Sequence, residues 1–300
     1  MAVSKSASNI TNFESHRRKA VESYQASRHI YELFVTEIER ILKVALARQN
    51  IKVASIVGRA KEVESFGKKA SKPSPLNPDL PKYNDPLNEI TDQAGVRVIT
   101  FFPKTIDEVD NVINAEFWVR DKSNKADALK LEERFGYQSV HYLVSLKSDR
   151  TSLPEYAQYK DLIAEIQVRT VLQDAWAEIE HDIQYKSSET IPPSIRRRFM
   201  SLAGLLEIAD REFQAIQDDD NELRQAARNS VQEGKLETVE ITPDALKAYL
   251  DKKLGPDRRM TNNTYDWTAR LLLKLGFTNF RQIDDCIAGY DDDRISRLAW

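Results

Sequence analysis

The chain has 300 residues, of which 41% are hydrophobic and 30% charged, and its formal net charge is −3. This length and apolar content predict a soluble globular protein with one large domain and room for a small appendage. Because the net charge is small, the molecule as a whole exerts no strong field toward nucleic acid or an anionic membrane. Any anion-binding site must therefore be a local basic patch.

The cysteine content and the length of the apolar runs indicate in which cellular compartment the protein is expected. Cys286 is the only cysteine, so no disulfide can form within the chain and a cysteine-based metal site is excluded. Both facts favour a reducing cytoplasm. Residues 1–12 lack the apolar core of a signal peptide, and the longest apolar runs, such as 98–102, are too short to cross a bilayer. We expect a cytoplasmic protein with no membrane partner.

Helical and strand periodicities alternate along the chain. Gly58 is expected to end the first strand, five prolines predict an exposed loop over 72–86, and 121–133 is expected to be a loop or helix. The acidic run 218–220 should fray the last long helix, because negative charge opposes the dipole at a helix C-terminus. The predicted helices cover 14–49, a segment up to Lys69, 103–114, 171–185 and 194–216, and the predicted strands cover 51–57, 95–102, 117–120, 140–146 and 162–168.

The last long helix and the segment beyond Gly234 have apolar faces of their own. Thr242 and Pro243 predict a helix start, as cap and first-turn residue, and Gly255 and Gly276 are expected to end helices. A small helical core is expected here, with an autoinhibitory or partner-binding module as the alternative. The residues expected to face inward are Leu202, Leu205, Leu206, Ala209 and Phe213 in the long helix, and Trp267, Leu271, Leu272, Leu273, Phe277 and Phe280 in the C-terminal unit.

This order of elements predicts an α+β fold in which helices flank a mixed β-sheet. Long helices are expected before and after the sheet. We expect a helical segment over 1–50, the main domain over 51–220, and a small helical unit over 236–300.

The first candidate site is a basic patch on an otherwise acidic chain. Residues 52–72 contain six lysines and arginines against two glutamates, which is a local net charge of +4. Arginine offers paired hydrogen bonds to phosphate and lysine a compact charge, so the patch suits a polyphosphate. A solvated helix face is the alternative. The patch consists of Arg59, Lys61, Ser65, Lys68, Lys69 and Lys72.

Two later strands carry polar residues that strands rarely bury. Asp92 precedes a hydrophobic strand and Arg97 lies within it, where a charge is costly unless it is paired or used. Glu165, Gln167 and Arg169 alternate, so they share one strand face. If Asp92 and Glu165 are adjacent, their oxygens suit Mg²⁺, which prefers one or two carboxylates plus substrate phosphates. An ion pair and a solvent-facing strand are the structural alternatives.

Aromatic and imidazole groups lie close together at 136–141. Tyr137 could stack on a nucleobase and His141 could hydrogen-bond a phosphate or ribose, although a core tyrosine and a satisfied histidine are equally good interpretations. His181-Asp182 has the form of a metal-hydrolase pair. The other histidines supply no further ligand set, so we predict a structural role for this pair.

Together these segments resemble the RelA/SpoT nucleotidyltransferase family, specifically its small members with a synthetase domain alone. The resemblance extends from about Ile51 to Glu212, and five blocks in register make it specific. They are Arg59-Ala60-Lys61 with Ser65, Asp92-Gln93-Ala94-Gly95-Val96-Arg97, Gly136-Tyr137-Gln138-Ser139-Val140-His141, Glu165-Ile166-Gln167-Val168-Arg169-Thr170, and Trp176-Ala177-Glu178-Ile179-Glu180-His181 ending in Tyr185-Lys186.

The resemblance implies a nucleotidyltransferase-like mixed sheet and a reaction with two nucleotides. Pyrophosphate would pass from ATP to the 3′-hydroxyl of GDP or GTP, and AMP would leave. Arg59 and Arg97 would sandwich the adenine, a cation–π arrangement. Lys61, Ser65 and Lys69 would hold the ATP phosphates.

The same resemblance assigns the metal and the acceptor. Asp92 and Glu165 would hold the Mg²⁺ cofactor, and Glu165 would also help to activate the acceptor hydroxyl. Tyr137 would stack on the acceptor base, with His141 and Gln167 nearby.

Departures from the family pattern leave alternatives open. Residues 132–135 lack the lysine and asparagine common before Gly136 in the family, and 236–300 matches nothing recognisable. A toxin-like relative that pyrophosphorylates the 3′ end of tRNA is the second hypothesis, and a non-catalytic nucleotide sensor is the third. We expect no alarmone hydrolysis, since the hydrolase domain of the long members is missing. The helix over 194–216 could support a homo-oligomer, and the C-terminal unit could bind a regulatory protein.

Overall fold

The computed structural model describes residues 2–124, 139–186, 192–256 and 260–289. They form two compact units that divide between Gln214 and Ala215. No helix over these residues is long and apolar enough to cross a lipid bilayer. The helices are α1 (Ala2–Arg48), α2 (Val63–Ala70), α3 (Pro86–Glu89), α4 (Pro103–Glu116), α5 (Ser148–Thr151), α6 (Val171–Lys186), α7 (Pro193–Gln232), α8 (Pro243–Leu254), α9 (Asn262–Lys274) and α10 (Phe280–Ile287), with a 3₁₀ turn at Ala157–Tyr159. The strands are β1 (Ser55–Ala60), β2 (Ala94–Thr100), β3 (Phe117–Asn124), β4 (Val140–Leu146) and β5 (Ala164–Thr170).

The five strands form one mixed sheet in the order β1-β2-β5-β4-β3. β2 and β5 run parallel, and the other neighbouring pairs are antiparallel. This sheet with its flanking helices confirms the predicted α+β class. The register of the parallel pair sets Gly95 beside Glu165 and Arg97 beside Gln167, so these four residues share one face of the sheet.

Alternation along the strands separates a core face from an open face. Val96 and Val98 of β2 are buried, as are Ile166 and Val168 of β5, and all pack in one apolar cluster with α1 and α4. Each large apolar side chain buried in this way contributes about 1.5–3 kcal/mol. The intervening residues point to the opposite face, which therefore carries the polar side chains of both strands.

Gly58 lies inside β1, so the prediction that it ends the first strand was wrong. A Cβ at this position would lie 2.3 Å from Val35 Cγ1 and 2.9 Å from Glu39 Oε1, both on α1. Glycine is needed because helix and strand approach closely there, which is a common use of glycine within a strand. The strand continues to Ala60 and so carries Arg59 into the sheet.

β3 is also longer than predicted. Residues 121–124, expected in a loop or helix, continue the strand and pair with β4. The charged residue Lys122 fits there because its Nζ lies 2.8 Å from Asp110 Oδ1 and 5.5 Å from the centre of the Tyr142 ring. The rest of the segment, 125–133, lies outside the described residues.

α7 continues well past its predicted end at Ile216. The acidic run 218–220 lies within the helix, and the prediction that it frays the end was wrong. Asp220 Oδ2 accepts a hydrogen bond from Arg224 Nε at 2.8 Å. An ion pair four residues apart stabilises a helix, here in the turn that follows the acidic run.

The face of α7 that is buried also differs from the prediction. Ala203 and Asp210 are buried, and Asp210 Oδ2 accepts a hydrogen bond from Thr170 Oγ1 at 2.7 Å. This polar contact with the end of β5 helps to set the rotation of the helix. Three side chains predicted to face inward are at least half exposed: Leu202, Leu205 and Phe213.

The second unit has a small helical core of its own. Thr242 caps α8 as predicted, since its side chain accepts a hydrogen bond from the backbone N–H three residues later. Gly255 follows the end of α8 with a positive φ of 84°. Phe280 is fully buried in this core, whereas Trp267, which was expected to join it, is 66% exposed.

Candidate active site

The open face of the sheet lines a cavity of about 530 Å³. This volume is within the range of pockets that bind nucleotide-sized molecules. Lys69 and His141 contact carboxylates of the cavity directly, and Tyr137 lies outside the described residues. The structure brings seven of the predicted site residues to the cavity wall: Arg59, Lys61, Ser65, Asp92, Arg97, Glu165 and Gln167.

Two lysines bind the Asp92 carboxylate. Lys61 Nζ and Lys69 Nζ each donate to its Oδ2 at 2.9 Å. Burial acts to raise the pKa of Asp92, but the hydrogen bonds and charges of the two lysines outweigh it and hold that pKa below its ordinary value. Oδ1 is buried and has no hydrogen-bond partner among the described residues. A buried carboxylate oxygen without a donor is suited to a cation.

Glu165, on the neighbouring strand, has partners of a different kind. Its Oε1 contacts His141 Nδ1 at 2.7 Å, and its Oε2 accepts a hydrogen bond from Gln167 Nε2 at 3.1 Å. Burial and, to a lesser extent, the charge of Asp92 act to raise the pKa of Glu165. The contacts with His141 and Gln167 outweigh them, so the pKa lies below its ordinary value. Both carboxylates are therefore ionised at neutral pH.

Both ring nitrogens of His141 contact protein side chains. Nδ1 lies against Glu165, and Nε2 lies 2.6 Å from the hydroxyl oxygen of Ser139, which is buried. The sequence predicts that His141 contacts the acceptor nucleotide. Its direct contact in the structure is with the carboxylate expected to activate that acceptor, and the acceptor role stays a prediction.

The helix after β5 supplies residues to which the sequence analysis gave no role in the site. Asp174, Glu178 and His181 lie at positions i, i+4 and i+7 of α6 and so share a face. Glu178 accepts a hydrogen bond from Arg97 Nη1, and Asp174 Oδ1 lies 2.5 Å from Nη2 of the buried Arg169. His181, predicted to be structural, has an exposed side chain that lines the cavity. The helical spacing of these three polar residues was the signal that could have identified them.

The carboxylates of the cleft fit a divalent ion bound together with a substrate. Among the described residues, no group of three or more His, Cys, Asp or Glu side chains could hold a metal ion alone. Mg²⁺ does not require one, because it commonly binds one or two carboxylates, waters and substrate phosphates. Asp92 and Glu165 line one cavity, and the buried Oδ1 of Asp92 has no donor. This donor set fits Mg²⁺.

Solved structures share this fold. The crystal structure of small alarmone synthetase 1 from Bacillus subtilis has a TM-score of 0.55 and 24% sequence identity, and the match covers 67% of this chain and 99% of that one. The same protein bound to its product pppGpp matches with a TM-score of 0.53 at 25% identity, over 65% and 98% of the two chains. Bound to AMPCPP, it matches with a TM-score of 0.52 at 25% identity, over 67% and 99%.

Sequence comparisons decide the family. The family model described as "Region found in RelA / SpoT proteins" matches residues 58–190. GTP pyrophosphokinase YjbM of Bacillus subtilis (strain 168) is 30% identical over 176 residues, which are 57% of this chain and 75% of YjbM. The chain belongs to the RelA/SpoT family. GTP pyrophosphokinase YwaC of the same strain is 32% identical over 127 residues, 42% of this chain, and the match spans only 58% of YwaC.

The limits of the RelA/SpoT match divide the chain unevenly. Residues 58–190 begin inside β1, contain Asp92 and Glu165, and extend beyond the end of α6. The helix α1 and the second unit both lie outside the match. α1 nevertheless belongs to the apolar core under the cleft, whereas the second unit has a core of its own.

Proposed function

We propose that the protein is an ATP-dependent pyrophosphotransferase that moves the β,γ-pyrophosphate of ATP to the 3′-hydroxyl of GDP or GTP and makes (p)ppGpp. The observation that carries the proposal is the cleft, where two ionised carboxylates lie among basic side chains on one face of the sheet. The activity named for YwaC and YjbM, and the pppGpp product bound to small alarmone synthetase 1, support the same reaction.

In this proposal ATP binds on the β1 and β2 side of the cleft. Arg59 and Arg97 stack on the adenine, where a planar guanidinium is attracted to the aromatic ring. Lys61, Ser65 and Lys69 contact the triphosphate, for which ammonium and hydroxyl groups are suitable donors. The AMPCPP bound to small alarmone synthetase 1 supports an adenine nucleotide as one ligand of this fold.

The acceptor binds on the β5 and β4 side, next to Glu165. Tyr137 stacks on its guanine base, with His141 and Gln167 beside the nucleotide. Glu165 takes the proton of the 3′-hydroxyl as that oxygen attacks the β-phosphorus of ATP. The bond from this phosphorus to the oxygen that bridges to the α-phosphate breaks, and AMP leaves with that oxygen. Lys61 and nearby basic groups neutralise the charge that develops on the β-phosphate oxygens.

Mg²⁺ is the proposed cofactor, and Asp92 and Glu165 would hold it. When bound, the ion would neutralise phosphate charge and help to orient the triphosphate. The support from this chain is the Asp92 oxygen that is buried without a donor.

The test supplies ATP labelled on its γ-phosphate together with GDP, GTP or deacylated tRNA in turn. The proposal expects AMP and a labelled guanosine nucleotide in equal amounts. Label that enters only tRNA would replace the guanosine acceptor with the tRNA 3′ end. Absence of AMP with every acceptor would favour the non-catalytic sensor.

The setting of the reaction is part of the proposal. We place it in the cytoplasm, where ATP and GTP are abundant and the exposed Cys286 stays reduced. A homo-oligomer and a regulatory partner for the second unit stay predictions.

A further inference from the structure

α1 contacts the donor side of the cleft through the backbone of Lys61. Tyr24 Oη donates to the Lys61 carbonyl oxygen at 2.7 Å, and Arg28 Nε donates to the same oxygen at 3.3 Å. The Lys61 N–H donates to the carbonyl of Gln93 at 2.8 Å. Both backbone polar groups of Lys61 are therefore held, one by α1 and the other by the residue that follows Asp92.

The position of Tyr24 is itself closely defined. Its side chain is fully buried, and its ring stacks on Phe66 of α2 with the ring centroids 4.2 Å apart. Burial is the main influence on its pKa and raises it to about 12, so the hydroxyl stays protonated and can donate at neutral pH. A packed ring with a donating hydroxyl fixes the distance between α1 and the Lys61 carbonyl.

Arg28 adds a partly exposed contact to the same segment. Its Nη2 lies 3.3 Å from Glu62 Oε1, and its Nη1 lies 2.5 Å from Glu32 Oε1 on α1. The guanidinium therefore joins α1 to the residue after Lys61. Lys61 Nζ in turn lies 2.9 Å from Asp92 Oδ2. A continuous series of polar contacts runs from α1 through Lys61 to the carboxylate.

We infer that Tyr24 and Arg28 are positioning residues that hold Lys61 in place for the triphosphate, so that α1 forms part of the donor site. The inference rests on the proposed function, because it takes Lys61 to contact ATP. Both residues precede the RelA/SpoT match, which begins at residue 58. Without the tyrosine hydroxyl, the Lys61 carbonyl loses its shorter hydrogen bond and the ammonium group is less well placed.

The test compares Tyr24→Phe with the matched control Tyr31→Phe. Tyr31 is buried on the same helix, 5.8 Å from Tyr24 between ring centroids, and each variant removes one hydroxyl from a buried tyrosine. Tyr24→Phe should raise the KM for ATP and the Kd of a non-hydrolysable ATP analogue about fivefold, the value of one neutral hydrogen bond. The acceptor KM should stay unchanged. Tyr31→Phe should leave all three constants within about twofold.

A double-mutant cycle with Lys61→Met separates positioning from a general effect on packing. Positioning predicts that Tyr24→Phe has no further effect on analogue affinity once the ammonium group is gone. The same fivefold loss in both backgrounds, or equal effects of the two tyrosine variants, would overturn the inference. If Tyr24→Phe fails to fold, Arg28→Met carries the same cycle.

The cycle also distinguishes this inference from the proposed function. A wild-type protein that binds the analogue but releases no AMP would contradict the proposed reaction. The cycle could still be measured, because it uses the affinity for the analogue and not the rate of reaction. If the wild type is active but the effects of Tyr24→Phe and Lys61→Met on analogue affinity are additive, the proposed reaction stands and the positioning role of α1 is rejected.

Discussion

The two carboxylates of the cleft are held by partners of opposite character. Asp92 is bound by two ammonium groups, those of Lys61 and Lys69, and keeps one buried oxygen without a donor. Glu165 is bound through both oxygens, by the imidazole of His141 and a side-chain amide. The first arrangement gathers positive charge around a carboxylate, whereas the second surrounds a carboxylate with hydrogen-bonding groups.

In the proposed reaction, this difference suits the two sides of the cleft to different tasks. Cationic groups around Asp92 suit a triphosphate, and the exposed Arg59 of β1 adds a further positive charge to the cavity wall. The hydrogen bonds to Glu165 orient its carboxylate and hold its pKa low, so it is ionised and able to accept a proton from a hydroxyl. Donor binding and acceptor activation would therefore be separable by mutation.

The largest expected effects come from the carboxylates themselves. Asp92→Asn and Glu165→Gln should each lower the rate of AMP release about 10²- to 10³-fold, the usual cost of removing one preorganised electrostatic group from a transition state. Rates with ATP and GDP at saturation measure this directly. The isosteric amides keep the shape of the site, so circular dichroism should stay unchanged.

Binding without Mg²⁺ should distinguish these two variants. Asp92→Asn releases two lysines from a carboxylate, so it should bind a non-hydrolysable ATP analogue more tightly than the wild type, by about fivefold. Glu165→Gln should leave that affinity unchanged. Identical behaviour of the two variants would remove the distinction between the two sides of the cleft.

Removing a contact to the adenine or to the acceptor should have an intermediate effect, on the KM for ATP in the first case and on the KM for GDP in the second. Arg59→Ala should raise the KM for ATP about tenfold, because a desolvated cation–π contact contributes about 1–2 kcal/mol, and should leave the KM for GDP unchanged. Gln167→Ala should raise the KM for GDP and spare the KM for ATP. Steady-state kinetics with each substrate varied in turn measures both KM values. A variant that changes the KM of the other substrate would contradict this division of the cleft.

Acid should weaken the fold through the same carboxylates. The pKa values of Asp92 and Glu165 lie below their ordinary values of 3.8 and 4.5. Each ionised carboxylate therefore stabilises the folded state when the pH is above that ordinary pKa. That stability is lost as the pH falls through the lowered folded-state pKa. Urea unfolding between about pH 3 and 6 should show a shallower acid loss in Asp92→Asn than in the wild type. The exposed substitution Asp149→Asn is the control, and an equal change there would refute the assignment.

The smallest effect on activity should come from the second unit. Phe280→Ala removes a fully buried ring and should cost that unit about 3–5 kcal/mol of stability. AMP release should stay within about twofold, because every cleft residue that the structure describes lies in the first unit. A large loss of activity in a folded protein would show that the second unit takes part in the reaction.

The sequence predicted correctly those helix and strand features that depend on residues close together in the chain. The strand over 140–146 was predicted with its observed bounds, since its apolar period and flanking residues are adjacent in the chain. The spacing of Glu165 and Gln167 placed both on one strand face, and the structure has both in the cavity wall. Thr242 was identified as a cap for the same reason, because the bond that it makes spans three residues.

Errors arose where distant residues decide the structure. The prediction that Gly58 ends a strand was wrong because the side chain that Gly58 packs against, Val35, lies on another element. The rotation of α7 depends on a hydrogen bond from Thr170 to Asp210, 40 residues apart. The spacing of apolar residues along the helix cannot predict this bond. The bond from Tyr24 to the Lys61 carbonyl joins residues 37 apart, so a helix predicted as a separate segment contacts a residue of the cavity wall.

The most direct test of the account is a mass balance for one reaction. ATP labelled on its γ-phosphate is incubated with GTP and the full chain, and every nucleotide is separated by anion exchange. We expect one AMP for each labelled guanosine pentaphosphate, no ADP, and loss of both products in Glu165→Gln. Formation of ADP, or of AMP with the label left in free pyrophosphate, would contradict it.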